Sequence, residues 1–264
     1  MSSVPWSLLA TGWAVLAIAF AALWARQLRT RDATSVDVLW AAGLAFLAVF
    51  FAVAAEGEPA RRALVGLLAG GATARLALHL LLDRAKKPVE DGRYRALRES
   101  WGSRATRNFF LFFQAQALLD AVLAVPFLIA CANPAPIGAL DAVAGALGVV
   151  ALGGEWLADR QLARFRAQAQ NRGRTCRVGL WRFSRHPNYF FQWTLWCAYA
   201  LLALSAPLGW VGLASPAVML FLILRVTGIP PTEAQALRSR GDDYRDYQRT
   251  TSAFVPWFPK TRTT

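Results

Sequence analysis

The densest run of polar chemistry in the chain lies between Glu155 and Tyr189, and it is dominated by arginine. It holds Asp159, Arg160, Arg164, Arg166, Asn171, Arg172, Arg174 and Arg177, and it closes with Ser184, Arg185, His186, Pro187, Asn188 and Tyr189. Arginine suits phosphate because its planar fork donates two parallel hydrogen bonds. Pro187 can open a helix, and the N–H groups of that first turn, with Arg185 and His186 beside them, would form an anion site. Each arginine taken singly has another use, as positive charge and aliphatic stem in a lipid headgroup belt. No G-x-G-x-x-G occurs, so a nucleotide would be held by this arginine-rich surface instead of a glycine-rich turn.

Other residues carry chemistry outside that run. Asp37 stands at the start of an apolar stretch, where it either complements a helix dipole or serves a ligand as a membrane-embedded acid. Arg75 and His79 lie four apart in another apolar stretch and are expected to face the bundle interior, as a structural pair or with Arg75 reaching a cofactor. Tyr94 belongs to the polar loop Asp91-Gly-Arg-Tyr-Arg, as an interfacial aromatic or a hydrogen-bond donor. Glu56 and Glu58 flank a turn closed by Pro59 and read as solvated. Glu155 and Asp159 are one turn apart at an expected helix end, where acids oppose the dipole and need arginine partners or a ligand. Glu233, Tyr244 and Tyr247 belong to an amphipathic C-terminal helix that packs on the bundle or caps a pocket, Tyr244 reading as packing. Cys131, Cys176 and Cys197 are widely spaced, so neither a disulfide framework nor a metal site is expected.

These residues must be positioned by membrane helices. The chain is 56% hydrophobic and only 17% charged, where a soluble domain is nearer half apolar and a quarter charged. A bilayer core of roughly 30 Å needs about 20 helical residues. Seven stretches meet this: 5–25, 36–55, 60–82, 109–132, 137–157, 189–206 and 208–227. The first lacks a basic n-region and reads as a retained helix, not a signal peptide. Only 205–210 separates the last two, so one kinked segment would also accommodate them. The net charge of +13 raises nucleic acid as a partner, but its distribution excludes it. Twenty-five of the 29 basic residues fall after the first span, in 84–107, in 160–185 and from Arg238 onward. The positive-inside rule then places the N-terminus outside and the C-terminus in the cytoplasm. The expectation is an all-α, seven-span protein of one domain over 1–264. Cytoplasmic segments 83–108, 158–188 and 228–264 carry its chemistry, and no obligate protein partner is evident.

The run from Gly179 to Tyr189, G-L-W-R-F-S-R-H-P-N-Y, resembles the C-terminal signature of the steroid 5-alpha-reductase superfamily, in particular its bacterial branch. The resemblance extends through Asp159, Arg166 and Arg174 upstream and Gln192 and Trp196 downstream. It resumes in G-I-P-P-T-E (228–233), G-D-D-Y-R-D-Y (241–247) and S-A-F-V-P-W (252–257), and in S-V-D-V-L-W-A-A-G (35–43). It implies a seven-helix membrane fold, in a bacterial inner membrane, that takes NADPH from the cytoplasmic side. The activity implied is reduction of a carbon–carbon double bond conjugated to a ketone, typically in a 3-oxo-4-ene steroid or similar lipid. Cofactor contacts would fall on Asp159, Arg166, Arg174, Asn188, Trp196 and Tyr247, with Arg185, His186, Tyr189 and Arg75 alongside. The eukaryotic reductases hold the ketone with a Gln-Glu pair and a tyrosine. Here no Gln-Glu dipeptide exists, Asp37 falls near the carboxylate, and Gln192 stands where those enzymes tend to carry Glu.

On this reading hydride from NADPH reaches the β-carbon of the enone, and a donor at the ketone oxygen stabilises the enolate-like transition state. Asp37 donates that hydrogen bond itself or orients Tyr94 to do so; these two are the expected catalytic residues. Two other functions compete. The Arg-His-Pro motif followed by Tyr-x-x-Tyr also resembles membrane methyltransferases of the isoprenylcysteine and phospholipid type, which use S-adenosylmethionine. That cofactor has no phosphate, so the arginines favour NADPH. A lipid-binding or transport protein would also tolerate membrane-embedded ionisable residues, but not their clustering on one cytosolic face.

Overall fold

Apolar runs of this length satisfy their backbone in lipid by bonding every N–H and C=O within a helix. The computed structural model describes residues 4–85 and 89–260 and is accordingly helical, with no strand among those residues. Twelve α-helices follow in order: α1 (Trp6–Thr30), α2 (Val36–Ala54), α3 (Pro59–Val65), α4 (Gly71–Ala85), α5 (Gly92–Trp101), α6 (Ala105–Leu123), α7 (Val125–Ala132), α8 (Ala139–Ala167), α9 (Pro187–Leu204), α10 (Ala214–Phe221), α11 (Ile229–Arg240) and α12 (Asp242–Thr250). Among the described residues, six helical segments are long and apolar enough to cross a bilayer: Trp6–Thr30, Val36–Ala54, Pro59–Arg84, Gly92–Ala132, Ala139–Ala167 and Gly209–Arg240. Helix α9 is not among them, because Asn188, Gln192 and several amphipathic aromatics dilute its first half.

Contacts divide the chain into two units, each drawn from separated stretches. One comprises residues up to Ala142 with Tyr199–Ser215, the other Val143–Ala198 with residues from Pro216 onward. In the first, α2 packs against α4 and α1 against α6. Phe20, Leu44, Leu47, Phe51, Phe109 and Phe113 are fully buried there, and Phe20 meets Phe113 edge-on at 6.4 Å. Gly43 lets α2 approach α6, since a β-carbon on it would lie 2.5 Å from the Asp120 carboxylate. The fully buried Arg61 bonds Asp141 at 2.7 Å and caps the carbonyls of Asn133, Ala135 and Pro136.

The structure corrects the expected elements in three places. The continuous span 109–132 is broken at Ala124, because Pro126 in the first turn of α7 has no N–H to continue the ladder. Helix α8 continues to Ala167, so Glu155 and Asp159 lie within it and do not oppose its dipole at an end. Arg75 and His79 on α4 are exposed, not packed in the interior.

In the second unit, short 3-10 turns at Ala169–Asn171 and Gly179–Arg182 connect α8 to α9. Helices α11 and α12 pack together, and the segment after them returns to the motif loop. There Ser252 forms a single parallel bridge with Ser184, and Trp257 N–H bonds the Phe183 carbonyl at 2.9 Å.

Candidate functional site

The motif loop is held from both sides. Gly179 adopts φ +58, and a β-carbon there would collide with the Gln161 side chain. That close approach lets Gln161 accept a bond from Leu180 N–H at 2.8 Å. The Trp181 indole donates to the Ala158 carbonyl at 2.8 Å. From the other side, the buried Tyr247 hydroxyl donates to the carbonyls of Trp181 and Ser184. Arg177 bridges Asp243 at 3.0 Å and Asp246 at 2.9 Å, which fixes α12 against the loop.

Glu233 on α11 is the hub of this unit. It accepts hydrogen bonds from Arg185 at 2.7 Å, Gln248 at 2.8 Å and Tyr244 at 3.2 Å, and lies 3.3 Å from His186. Burial pushes its carboxyl up, but the bonds from His186, Arg185 and Gln248 prevail and hold it down at about 2. Arg185 is further engaged with the carbonyls of Gln248 and Thr251. Arg185 and His186, expected at an anion site, also tie the start of α9 to the C-terminal helices.

These elements surround a cavity of about 290 Å³. Of the ten expected cofactor residues, seven line it: Asp159, Arg166, Arg185, His186, Asn188, Tyr189 and Tyr247. Asn188 bonds Asp159 at 3.2 Å, the Tyr189 hydroxyl pairs with Thr232 at 3.1 Å, and the His186 ring stacks on Tyr189. The other three lie elsewhere. Trp196 is buried within α9, Arg174 is exposed on the loop, and Arg75 belongs to the first unit. Sequence reasoning did not select Thr175, Cys176, Trp181, Thr232 or Arg240, and it read Tyr244 as packing, yet all line the cavity. Arg240 follows Ala236 by four residues and so shares its face of α11, but only the structure shows that Ala236 is buried and that face turned inward.

Two buried polar atoms of the lining residues, Arg240 Nε and Thr175 Oγ1, have no hydrogen-bond partner. Buried donors in that state are costly, and the oxygens of a phosphate group would satisfy both. The donor set thus fits a ligand that carries a phosphate group.

A second cluster belongs to the first unit. The Tyr94 hydroxyl donates to Asp37 at 2.5 Å, Arg93 donates to the other carboxylate oxygen at 2.9 Å, and Arg84 lies 3.5 Å from it. Asp91 caps α5 by accepting from Arg93 N–H at 2.9 Å, and its own N–H donates to Thr34 at 2.8 Å. Glu90 accepts from Ala33 N–H at 2.9 Å and from Arg98 at 2.8 Å. The loop before α5 is thereby clamped to the turn before α2, which brings Tyr94 onto Asp37. Burial first, then the adjacent Asp37 carboxylate, pushes the Tyr94 hydroxyl well above its ordinary range, so it stays protonated. The pair is a neutral donor held by an acceptor.

The family model for DUF1295, "Protein of unknown function (DUF1295)", matches residues 23–251, which span both clusters. The chain belongs to the DUF1295 family. That family is associated with steroid 5-alpha-reductase-like membrane proteins. Neither a curated protein nor a solved structure matches the chain. The match begins within α1 and ends just after α12, so the Asp37–Tyr94 pair and the cavity are both features of family-matched sequence.

Proposed function

We propose that this DUF1295 protein is an integral membrane reductase that uses NADPH to saturate the carbon–carbon double bond of a hydrophobic enone, with a 3-oxo-4-ene steroid as the first substrate to try. The observation that carries this reading is the cavity of the second unit, where seven motif residues converge beside two partnerless buried donors. We read the fold as seven spans, with α9 as the seventh. The basic segments, and with them the cofactor cavity, then face the cytoplasm, because 25 of 29 basic residues fall on one side of that topology.

Arg166, Asn188, Tyr189 and Asp159 would hold the cofactor, which supplies hydride when bound. The protein's own contribution to catalysis is electrostatic. The Tyr94 hydroxyl, kept protonated beside Asp37, turns its one hydrogen from that carboxylate to the substrate's ketone oxygen as negative charge develops there, while Arg93 keeps Asp37 paired. Asp37 itself accepts from Arg93 as well as Tyr94, which makes it the orienting group and Tyr94 the donor. Apolar helices around the first unit offer a lipid-soluble substrate a dry environment in which that hydrogen bond is strong.

Mass spectrometry of the ligand released from detergent-purified protein, with titration as a check, tests the reading. Recovery of NADP(H) supports it and justifies an enone screen. Recovery of S-adenosylmethionine or its demethylated product replaces it with a lipid methyltransferase. If neither is recovered and neither binds, the protein is not a reductase of this kind and lipid binding or transport takes its place.

A further inference from the structure

The segment after α12 makes a short excursion that is pinned at both ends. Near its start the Ser184 hydroxyl donates to the Phe254 carbonyl at 2.8 Å, and at its end Lys260 N–H bonds the Thr250 carbonyl at 2.8 Å. Between them Trp257 N–H bonds the Phe183 carbonyl at 2.9 Å. The backbone is fixed, yet it turns apolar side chains outward: Val255 is 52% exposed, Trp257 70% and Phe258 77%. An apolar cluster displayed in this way marks an interaction surface. Two features of the same unit set its depth. Phe254 is buried against Phe190 and Trp193 of α9, at 5.7 and 5.9 Å between ring centres. Those two residues stand about 5 and 9 Å along the helix from Pro187. On α8, the half-exposed Trp156 carries the Arg160 guanidinium 4.8 Å from its ring, a pairing suited to a lipid headgroup belt. Ala158, between them, accepts the Trp181 indole bond, and the chain from Trp181 to Phe183 spans at most about 7 Å. The exposed tip thus lies near the level where α8 and α9 leave the bilayer. Arg182, next to Phe183, and Lys260 are exposed beside it and have no acidic partner among the described residues. Aromatic side chains flanked by unpaired cations fit an anionic lipid surface, whereas an apolar protein partner would leave the cations without a use.

We infer that residues 254–260 form an interfacial anchor that inserts Val255, Trp257 and Phe258 into the cytoplasmic leaflet, at the boundary of headgroups and acyl chains. Arg182 and Lys260 then meet the headgroups of anionic lipid. The inference goes beyond the reductase reading: it rests on the seven-span topology, and no cofactor enters it. It also has a consequence for the cavity. The anchored backbone bonds both Phe183 of the motif loop and Thr250 at the end of α12, so the bilayer surface holds those two elements together.

The test uses the full chain in a background without Cys131, Cys176 and Cys197, carrying Phe258→Cys labelled with bimane and reconstituted in nanodiscs of phosphatidylcholine and phosphatidylglycerol. Lipid brominated high on the acyl chains should quench this label at least about twofold more than a label at Arg249→Cys, and aqueous iodide should show the reverse order. Val255→Cys gives the same comparison if Phe258→Cys does not fold. Omitting phosphatidylglycerol should reduce the quenching by brominated lipid, and Arg182→Gln combined with Lys260→Gln should remove that dependence. Quenching that is equal with and without phosphatidylglycerol overturns the headgroup contact of the two cations. A label open to iodide and untouched by brominated lipid overturns the anchor and leaves the cofactor reading as it stands. A label shielded from both quenchers assigns the patch to a protein contact, a second copy included, and likewise overturns the anchor.

Discussion

Asp37 and Tyr94 are 57 positions apart, yet their side chains share a hydrogen bond. The sequence marks each as a polar residue near an apolar span and, through the resemblance, as a catalytic candidate, but it does not show that the two side chains meet. The clamp by Asp91, Glu90 and Thr34 makes the difference, because it brings α5 back onto the first turn of α2. Asp37→Asn should therefore lower turnover by about tenfold to a hundredfold while cofactor affinity stays within about twofold. Single-turnover hydride transfer at the wild-type rate would make Asp37 structural. The arginines of the motif also separate at this scale. Arg166 lines the cavity, whereas Arg174 is exposed on the loop and does not. Arg166→Gln should weaken NADPH more than NADH, and Arg174→Gln should treat the two alike. Comparison of the four dissociation constants decides it, and the reverse pattern would move the phosphate contact to Arg174.

Helices α11 and α12 are short, polar and poor in apolar residues, so packing area alone does not hold them. Their attachment runs through Glu233 and Tyr247, each of which gathers partners from the motif loop. The acid at Glu233 is held at about 2, below the ordinary 4.5 of a glutamate. Because the folded value is the lower one, the stabilisation is complete above about 4.5 and is lost as pH falls towards about 2. Glu233→Gln removes this titration. The difference in melting temperature between wild type and variant should thus narrow between pH ~6 and pH ~3. A constant gap across that range would show that Glu233 ionisation contributes nothing to the fold. The sequence already marked Glu233 and Tyr247 as residues of one amphipathic tail helix that packs on the bundle or caps a pocket, a helix the structure divides at Gly241 into α11 and α12. Their convergence on Arg185 and on the carbonyls of Trp181 and Ser184 could not be read there, since it depends on how the chain after Gly228 returns.

At the scale of the whole molecule, the topology makes a prediction of its own. Single cysteines introduced at Glu58 and at Arg249, in a background without Cys131, Cys176 and Cys197, should label oppositely with a membrane-impermeant thiol reagent. The Glu58 position should react in intact cells, and the Arg249 position only after permeabilisation. The opposite pattern would invert the membrane, and reaction of both in intact cells would remove one span. Hydropathy and charge distribution alone determined that this is a helical membrane protein, because in lipid a long apolar run must close its hydrogen bonds within itself. The motif from Gly179 to Tyr189 likewise announced an arginine-bearing loop that opens a helix at its proline, and the structure sets that loop beside a cavity. The tertiary structure decided which of those residues meet. Side-chain convergence depends on loop paths and helix rotation, and neither leaves a periodic mark in the sequence. For that reason Arg185 turned inward to Glu233, Trp196 was buried in α9, and Arg240, one of two arginines near the end of the same helix, was the one that reached the cavity.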